Sequence, residues 1–249
     1  MIQHFGIEEF RTRRFNYRPG EHVAFFGPTQ EAGKTTMAYA LLEKTASPEL
    51  RATTLCMKHR DRVVSAWTRR LEFVETPSWP PKIKLSNRHP AGHTLWPRQS
   101  LTDVEADNAL LEREFTKAIV YNRGHTPSIT HANELYGLLA ELNLRKLLTA
   151  VVTRDSIAGH GLWYETQKPS GTQGVSVPGF FFNSAAWMFL SNDGDSRNRH
   201  RYGEISCGID PASIERETLR LQPFSWLCIH RGSPPSWCVI DAYDPALAV

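Results

Sequence analysis

The sequence has only four cysteines, Cys56, Cys207, Cys228 and Cys238, with no C-x-x-C pair and no histidine at zinc-finger distance. A zinc module and a disulfide framework are thereby excluded, and the four read as reduced thiols of a cytosolic protein. No apolar run approaches the roughly 20 residues of a membrane span. The longest such cluster, Phe180 to Leu190, is broken by Asn183 and Ser184. Near the N-terminus Glu8, Glu9, Arg11, Arg13 and Arg14 stand where a signal peptide needs an apolar stretch, so a soluble protein without membrane insertion is expected. Charge of one sign is also lacking. Lys and Arg total 29 against 26 Asp and Glu, too small an excess for a protein that coats nucleic acid, so any such contact must be local. There is no internal repeat and no low-complexity tract.

With 249 residues, 41% apolar and 22% charged, the chain has ordinary globular usage and is long enough to bury a real core. After a turn at Pro19-Gly20, the apolar run His22 to Phe26 predicts a buried strand that stops at Gly27. Met37, Ala38, Leu41 and Leu42 then recur at helical spacing from Lys34 until Ser47-Pro48. A second strand is expected over Ala52 to Met57, followed by the charged cluster Lys58 to Arg62. Five prolines between Thr76 and Arg98 predict an irregular connection. Thr102 and Glu105 suggest a capping box for a helix that ends near Asn122-Arg123-Gly124. Beyond it, strands are expected at Pro127 to Asn133, Leu162 to Glu165, Trp187 to Leu190 and Trp226 to His230, with a helix from about Leu135 into the 140s. Trp163, Tyr164 and Phe180 to Phe182 read as core.

The segment between the first strand and its helix carries the chemistry. Gly27, Pro28, Thr29, Gln30, Glu31, Ala32, Gly33, Lys34, Thr35 and Thr36 spell GPTQEAGKTT, close to the phosphate-binding pattern G-x-x-x-x-G-K-[ST]. Backbone N–H groups at a helix start hold phosphate oxygens, a lysine neutralises the outer phosphates, and a hydroxyl binds Mg²⁺. Lys34 and Thr35 supply those side chains, with ATP and Mg²⁺ as the implied cofactors. Gly27 lies one residue too early for the pattern, and Pro28 stands where the first glycine belongs. A longer or differently bent loop is expected. The fold class that follows is α/β with a P-loop, open on this motif alone to a kinase, a GTPase or a motor. Residues 1–249 are expected to form one such domain, with 1–20 as a lead and 206–249 as an extension of the same domain.

Further along, TRDSIAGHGLWYETQKP (Thr153 to Pro169), then Trp187 to Asp193 and Arg199 to Ile205, resembles the latter half of the FtsK/HerA family of DNA-pumping ATPases. The Thr-Gln-Lys-Pro stretch is the most specific element. The fold that this resemblance implies is a RecA-like P-loop NTPase, with a largely parallel sheet flanked by helices. The resemblance implies that Gln167 is the sensor glutamine that reaches the γ-phosphate, and that Arg154 is a finger inserted into a neighbouring subunit's site. It further implies a homo-oligomeric ring, hexamer or pentamer, that moves double-stranded DNA. The small size suits a viral or mobile-element motor working with a capsid, a portal or a transfer complex, in the cytoplasm of a bacterium or infected host or in association with a virion.

In that family an apolar strand ends in Asp-Glu, the Asp positioning Mg²⁺ and the Glu polarising water. The matching place here reads SITHANE, so Glu134 is the candidate base and the neutral Asn133 takes the metal-side position, through water. A hydrogen bond involving a charge is worth about 1.5–3 kcal/mol against about 1 for a neutral one, so metal binding should weaken about tenfold. Ala150 to Asp155 is a weaker rival for this strand. Arg197, Arg199 and Arg201 form the densest late basic cluster and are the candidate DNA contacts, or else a solvated loop. Arg11, Arg13, Arg14 and Arg18 are expected to face solvent or a subunit contact. Two other classes stay open: a nucleotide or small-molecule kinase, and a non-catalytic module that binds nucleotide to hold an assembly.

Overall fold

The computed structural model describes residues 2–28, 32–82, 91–167, 169, 177–205 and 207–241. Strand β1 (Gln3–Gly6) and helix α1 (Ile7–Arg13) precede β2 (His22–Phe26) and α2 (Lys34–Thr45). Then come β3 (Arg51–Leu55), α3 (Arg62–Arg70), β4 (Val74–Thr76), β5 (Gly92–Leu95), α4 (Val104–Gly124), β6 (Ser128–Ala132), α5 (Leu135–Ala140) and α6 (Arg145–Ala150). β7 (His160–Thr166), α7 (Gly179–Ser184), β8 (Ala185–Leu190), α8 (Ser196–Glu204), α9 (Pro211–Arg220), β9 (Ser225–His230) and β10 (Ser236–Asp241) follow, with two short helical stretches, Val151–Asp155 and Ser156–Ala158, linking α6 to β7.

These strands form one sheet in the order β1-β10-β9-β8-β2-β7-β6-β3-β5-β4. Among the described pairings only those of β9, with β8 and with β10, are antiparallel. Side chains alternate across a strand, so a parallel sheet covered on both faces must be apolar at nearly every position. β2 obeys this. Val23 and Phe25 join the core under α1, α2 and α3, whereas Ala24 and Phe26 join the core under the later helices α4 to α9. β7 divides in the same way, with Trp163 on the α2 side and Leu162 and Tyr164 on the other. The C-terminal ends of β2, β6 and β7 therefore come side by side at one edge of the sheet, where open α/β sheets place their ligands.

The expected strands at β2, β6, β7, β8 and β9 and the α2 helix are present within a few residues of their predicted limits. Several expectations need correction. The proline-rich stretch holds the strand β5, four buried residues that pair with β3 and β4. The cap of α4 is Asp103, whose carboxylate accepts from the Ala106 N–H at 3.0 Å, while the Thr102 hydroxyl turns to Ser100. The helix expected from Leu135 into the 140s is two short helices, α5 and α6. Ala150 to Asp155 is helical rather than extended, with Val151 and Val152 buried against the later helices, since a short apolar run has no period that separates helix from strand.

The N-terminal arginines also divide. Arg13 is exposed, but the Arg11 side chain is only 6% exposed. It bonds Glu8, the Glu43 carboxylate at 2.6 Å and the Ala40 carbonyl at 3.1 Å, and so ties α1 to α2. Losing hydrogen bonds that involve a charge costs about 1–3 kcal/mol, so Arg11→Ala should lower the urea midpoint accordingly. Arg13→Ala, on the same helix, should change stability by less than about 0.5 kcal/mol. Equal effects from the two would remove the assigned role of Arg11.

Candidate functional site

The phosphate-binding loop begins where the β2 ladder ends. The Gly27 N–H reaches the Thr166 carbonyl at 3.3 Å, and the Ser191 N–H reaches the Phe26 carbonyl at 2.9 Å. A Cβ on Gly27 would collide with the Ser191 hydroxyl and lie 2.7 Å from the Ala32 methyl. The glycine is thus required one position earlier than the pattern places it. Gly33 has φ of 68°, a left-handed value that suits glycine, and it opens α2 with no side-chain cap. Pro28 and Thr36 are half-buried and Ala32 is buried. Thr29, Gln30 and Glu31 lie outside the described residues. Lys34 is 8% exposed and donates to the carbonyls of Gly27 at 2.8 Å and Pro28 at 2.7 Å. Burial pulls its pKa below the ordinary lysine value, opposed by the charges of Glu165 and Glu134.

Lys34, Thr35, Asn133, Glu134, Glu165 and Gln167 line one cleft of about 460 Å³. Asn133 and Glu134 follow β6 directly, and Gln167 follows β7. The Gln167 amide donates to the Glu134 carboxylate at 2.7 Å. Burial, then the nearby charge of Glu165, raises the Glu134 pKa to about 7. Asn133 is 2% exposed, and its amide N–H₂ lies 3.3 Å from the Thr35 hydroxyl and 3.2 Å from the Glu165 carboxylate.

Motif comparison passes over Glu165 and His131. The Thr35 hydroxyl donates to Glu165 Oε2 at 2.8 Å, and His131 Nε2 lies 3.1 Å from Oε1. A strand-parity signal for both was present. His131 and Asn133 share the parity of Ile129 on β6, and Glu165 shares that of Trp163 on β7, the residues whose side chains join the core on the α2 side.

Arg154 is not brought to this cleft. It is exposed on the helical turn before β7, and His22, at the opening end of β2, meets the Val152 carbonyl at 3.2 Å. That places Arg154 at the far edge of the sheet, about 20 Å along β7 from Gln167. The late arginines lie on α8 rather than on a loop. Arg197 is 82% exposed, but Arg199 donates to the Asp193 carbonyl at 2.8 Å, and Arg201 lies 5.0 Å above the Phe182 ring and pairs with Glu204.

Three solved structures share this architecture. The genome-packaging NTPase B204 of Sulfolobus turreted icosahedral virus 2, in complex with AMPPCP, has a TM-score of 0.60 at 9% identity, covering 91% of this chain and 100% of that one. The DNA-packaging ATPase B204 of Sulfolobus turreted icosahedral virus has a TM-score of 0.58 at 12% identity, covering 92% and 100%. The cytoplasmic domain of the type VII secretion ATPase EccC of Thermomonospora curvata has a TM-score of 0.50 at 13% identity, covering 89% of this chain and 25% of that one. The chain has the fold of a P-loop ATPase. This agrees with the FtsK/HerA resemblance. No family model matches the chain and no curated protein matches its sequence.

A P-loop ATPase takes Mg²⁺ largely through nucleotide oxygens and water, with few protein ligands. The residues present fit that demand. Among the described residues no three His, Cys, Asp or Glu side chains form a self-sufficient metal cluster. The Thr35 hydroxyl and the Glu165 and Glu134 carboxylates supply hard oxygens, and the buried Asn133 Oδ1 has no hydrogen-bond partner. Among the described residues, no helix is long and apolar enough to cross a membrane.

The raised pKa of Glu134 carries a sign for stability. Its contribution is fully present below the ordinary carboxyl value of about 4.5 and is lost as pH rises through about 7. Glu134→Gln is neutral throughout and escapes that loss. In nucleotide-free protein the melting temperature of the variant minus that of the parent should therefore increase from about pH 5 to about pH 8. A constant difference would show that Glu134 titrates normally.

Proposed function

We propose that this chain is the ATP-hydrolysing core of a ring-forming double-stranded DNA translocase, of the genome-packaging or DNA-transfer kind. The observation that supports it is the meeting of Lys34, Thr35, Glu134 and Gln167 in one cleft at the C-terminal ends of β2, β6 and β7. In this proposal the N-terminus of α2 and Lys34 hold the β- and γ-phosphates, and Thr35 and the Asn133 side hold Mg²⁺, which neutralises phosphate charge when bound. Glu134 takes the proton of the attacking water. A base with a pKa of about 7 is matched to that task at neutral pH. Gln167 holds the base in place and senses the γ-phosphate. Arg154, far from its own cleft, acts on the site of a neighbouring subunit.

A second basic surface supports the DNA partner. Arg60, Arg62, Arg69 and Arg98 are exposed around a groove of about 810 Å³ beside the partly buried Trp96. None of the four forms an ion pair among the described residues. The groove adjoins the nucleotide cleft, because Arg60 and Arg62 line both. Phosphate contacts of this kind grip DNA without reading its sequence. Arg197 on α8 is the remaining exposed candidate from the late cluster.

ATP turnover with and without duplex DNA tests the proposal. Lys34→Ala should abolish binding of an ATP analogue, and Glu134→Gln should retain it while slowing hydrolysis by about 10²- to 10⁴-fold. Arg69→Glu with Arg98→Glu should leave basal turnover alone and weaken its stimulation by DNA, most clearly at low salt. Turnover indifferent to duplex DNA in the parent would favour a kinase or an assembly module instead. For the ring, Arg154→Ala and Lys34→Ala subunits, each inactive alone, should regain partial activity when mixed. Co-assembly without any recovery would remove the role of Arg154 across subunits.

A further inference from the structure

Asn133 carries no charge, yet it ends the strand on which a Mg²⁺ subsite is expected to have its carboxylate. The charge lies one strand away. Glu165 on β7 is 1% exposed and has no Lys or Arg ion-pair partner among the described residues. Burying a carboxylate without a cation is costly unless donors or a metal compensate. Donors surround it: the Thr35 hydroxyl at 2.8 Å, Asn133 Nδ2 at 3.2 Å and His131 Nε2 at 3.1 Å. His131 Nδ1 lies 3.3 Å from the Thr54 hydroxyl and can accept its proton, which leaves the ring proton on Nε2, facing Glu165.

The hydrogen bonds also orient Thr35. Its proton goes to Glu165 and one lone pair receives the Asn133 amide, so the second lone pair remains for a ligand in the cleft that Thr35 lines. The carbonyl oxygen of Asn133 is buried without a partner, and suits a donor such as a metal-bound water.

Resting on the P-loop ATPase reading, we propose that Glu165 supplies the negative charge of the Mg²⁺ subsite in place of a carboxylate on β6, setting the Thr35 hydroxyl while Asn133 bridges the two. Glu165 is a positioning residue. It follows that Asn133→Asp alone should not improve the site, because it would set a second carboxylate against Glu165. The exchange should work when both are changed, with the acid moved to β6 and the amide to β7.

The test is calorimetric binding of a non-hydrolysable ATP analogue to the whole chain with and without Mg²⁺, together with Mn²⁺ binding by electron paramagnetic resonance. In Glu165→Gln the tightening by Mg²⁺ should fall by about tenfold or more, with metal-free affinity within about twofold of the parent. Asn133→Asp combined with Glu165→Gln should recover most of the lost metal response. A parental Mg²⁺ response in Glu165→Gln, or a double variant no better than that single one, would overturn the proposal. If Glu165→Gln does not fold, Glu165→Asp reads the same response. It keeps the charge but withdraws it by one methylene, so a loss of about threefold or more is expected, and no loss overturns the proposal. Lys34→Ala separates the two levels. If it binds the analogue like the parent, the P-loop reading fails; if it does not bind while Glu165→Gln keeps its Mg²⁺ response, only the assignment of Glu165 fails.

Discussion

A carboxylate buried to 1% exposure, with no lysine or arginine paired to it among the described residues, dictates how the pieces of this cleft must meet. Glu165 can be tolerated there only if donors converge on it, and three arrive from two elements: Thr35 from α2, and His131 and Asn133 from β6 and its end. Each donor is itself held. His131 is edge-on to the Tyr39 ring of α2 at 5.5 Å and is bonded to Thr54 of β3. Thr35 is fixed by the start of α2, and so by the left-handed Gly33. The spacing of phosphate loop and strand ends is therefore set by one buried anion as much as by the apolar cores on either side of the sheet.

Those features of the sequence that carry their own punctuation were legible. β2 ends at Gly27, α2 ends at Ser47-Pro48, and the long apolar strands β7 and β8 have no competing period. Elements that depend on partners were not. β5 is four residues beside a proline-rich stretch and becomes a strand only because β3 and β4 pair with it. β1 and β10 are mutual neighbours at one end of the sheet, brought together from the two ends of the chain, a pairing no local pattern announces. Arg11 looked like one more surface arginine because its partner Glu43 is 32 residues away.

The candidate site was legible for the same reason and to the same depth. Lys34, Thr35, Asn133, Glu134 and Gln167 sit at strand ends and a helix start, where motifs are contiguous, and the structure places them in one cleft. Glu165 belongs to the same TQKP neighbourhood, but in the sequence alone it is one more residue of the expected strand LWYE. Its meaning is a relation between β6 and β7, one step beyond the last paired residues Ala132 and Tyr164. Such a relation becomes visible only when the register is known. The irregular loop was likewise unreadable until Ser191, from after β8, appeared against Gly27.

The strand ends are joined by two reciprocal bridges, each an amide on one strand facing a carboxylate on the other. Asn133 after β6 donates toward Glu165 on β7, and Gln167 after β7 donates to Glu134 after β6. The chemical type of the bridge matters more than its strength. Had a lysine or arginine taken the place of Gln167, the opposite charge would hold Glu134 ionised well below neutrality and make it a poor proton acceptor. A neutral amide positions the carboxylate without that penalty, and burial with the nearby charge of Glu165 keeps its pKa at about 7. For Glu165 the same choice has the opposite use: amide, hydroxyl and imidazole donors hold it in place without cancelling its charge. In the proposed roles, one kind of contact thus holds Glu134 without suppressing its basicity and holds Glu165 without an opposing lysine or arginine, as proton removal and cation binding would separately require.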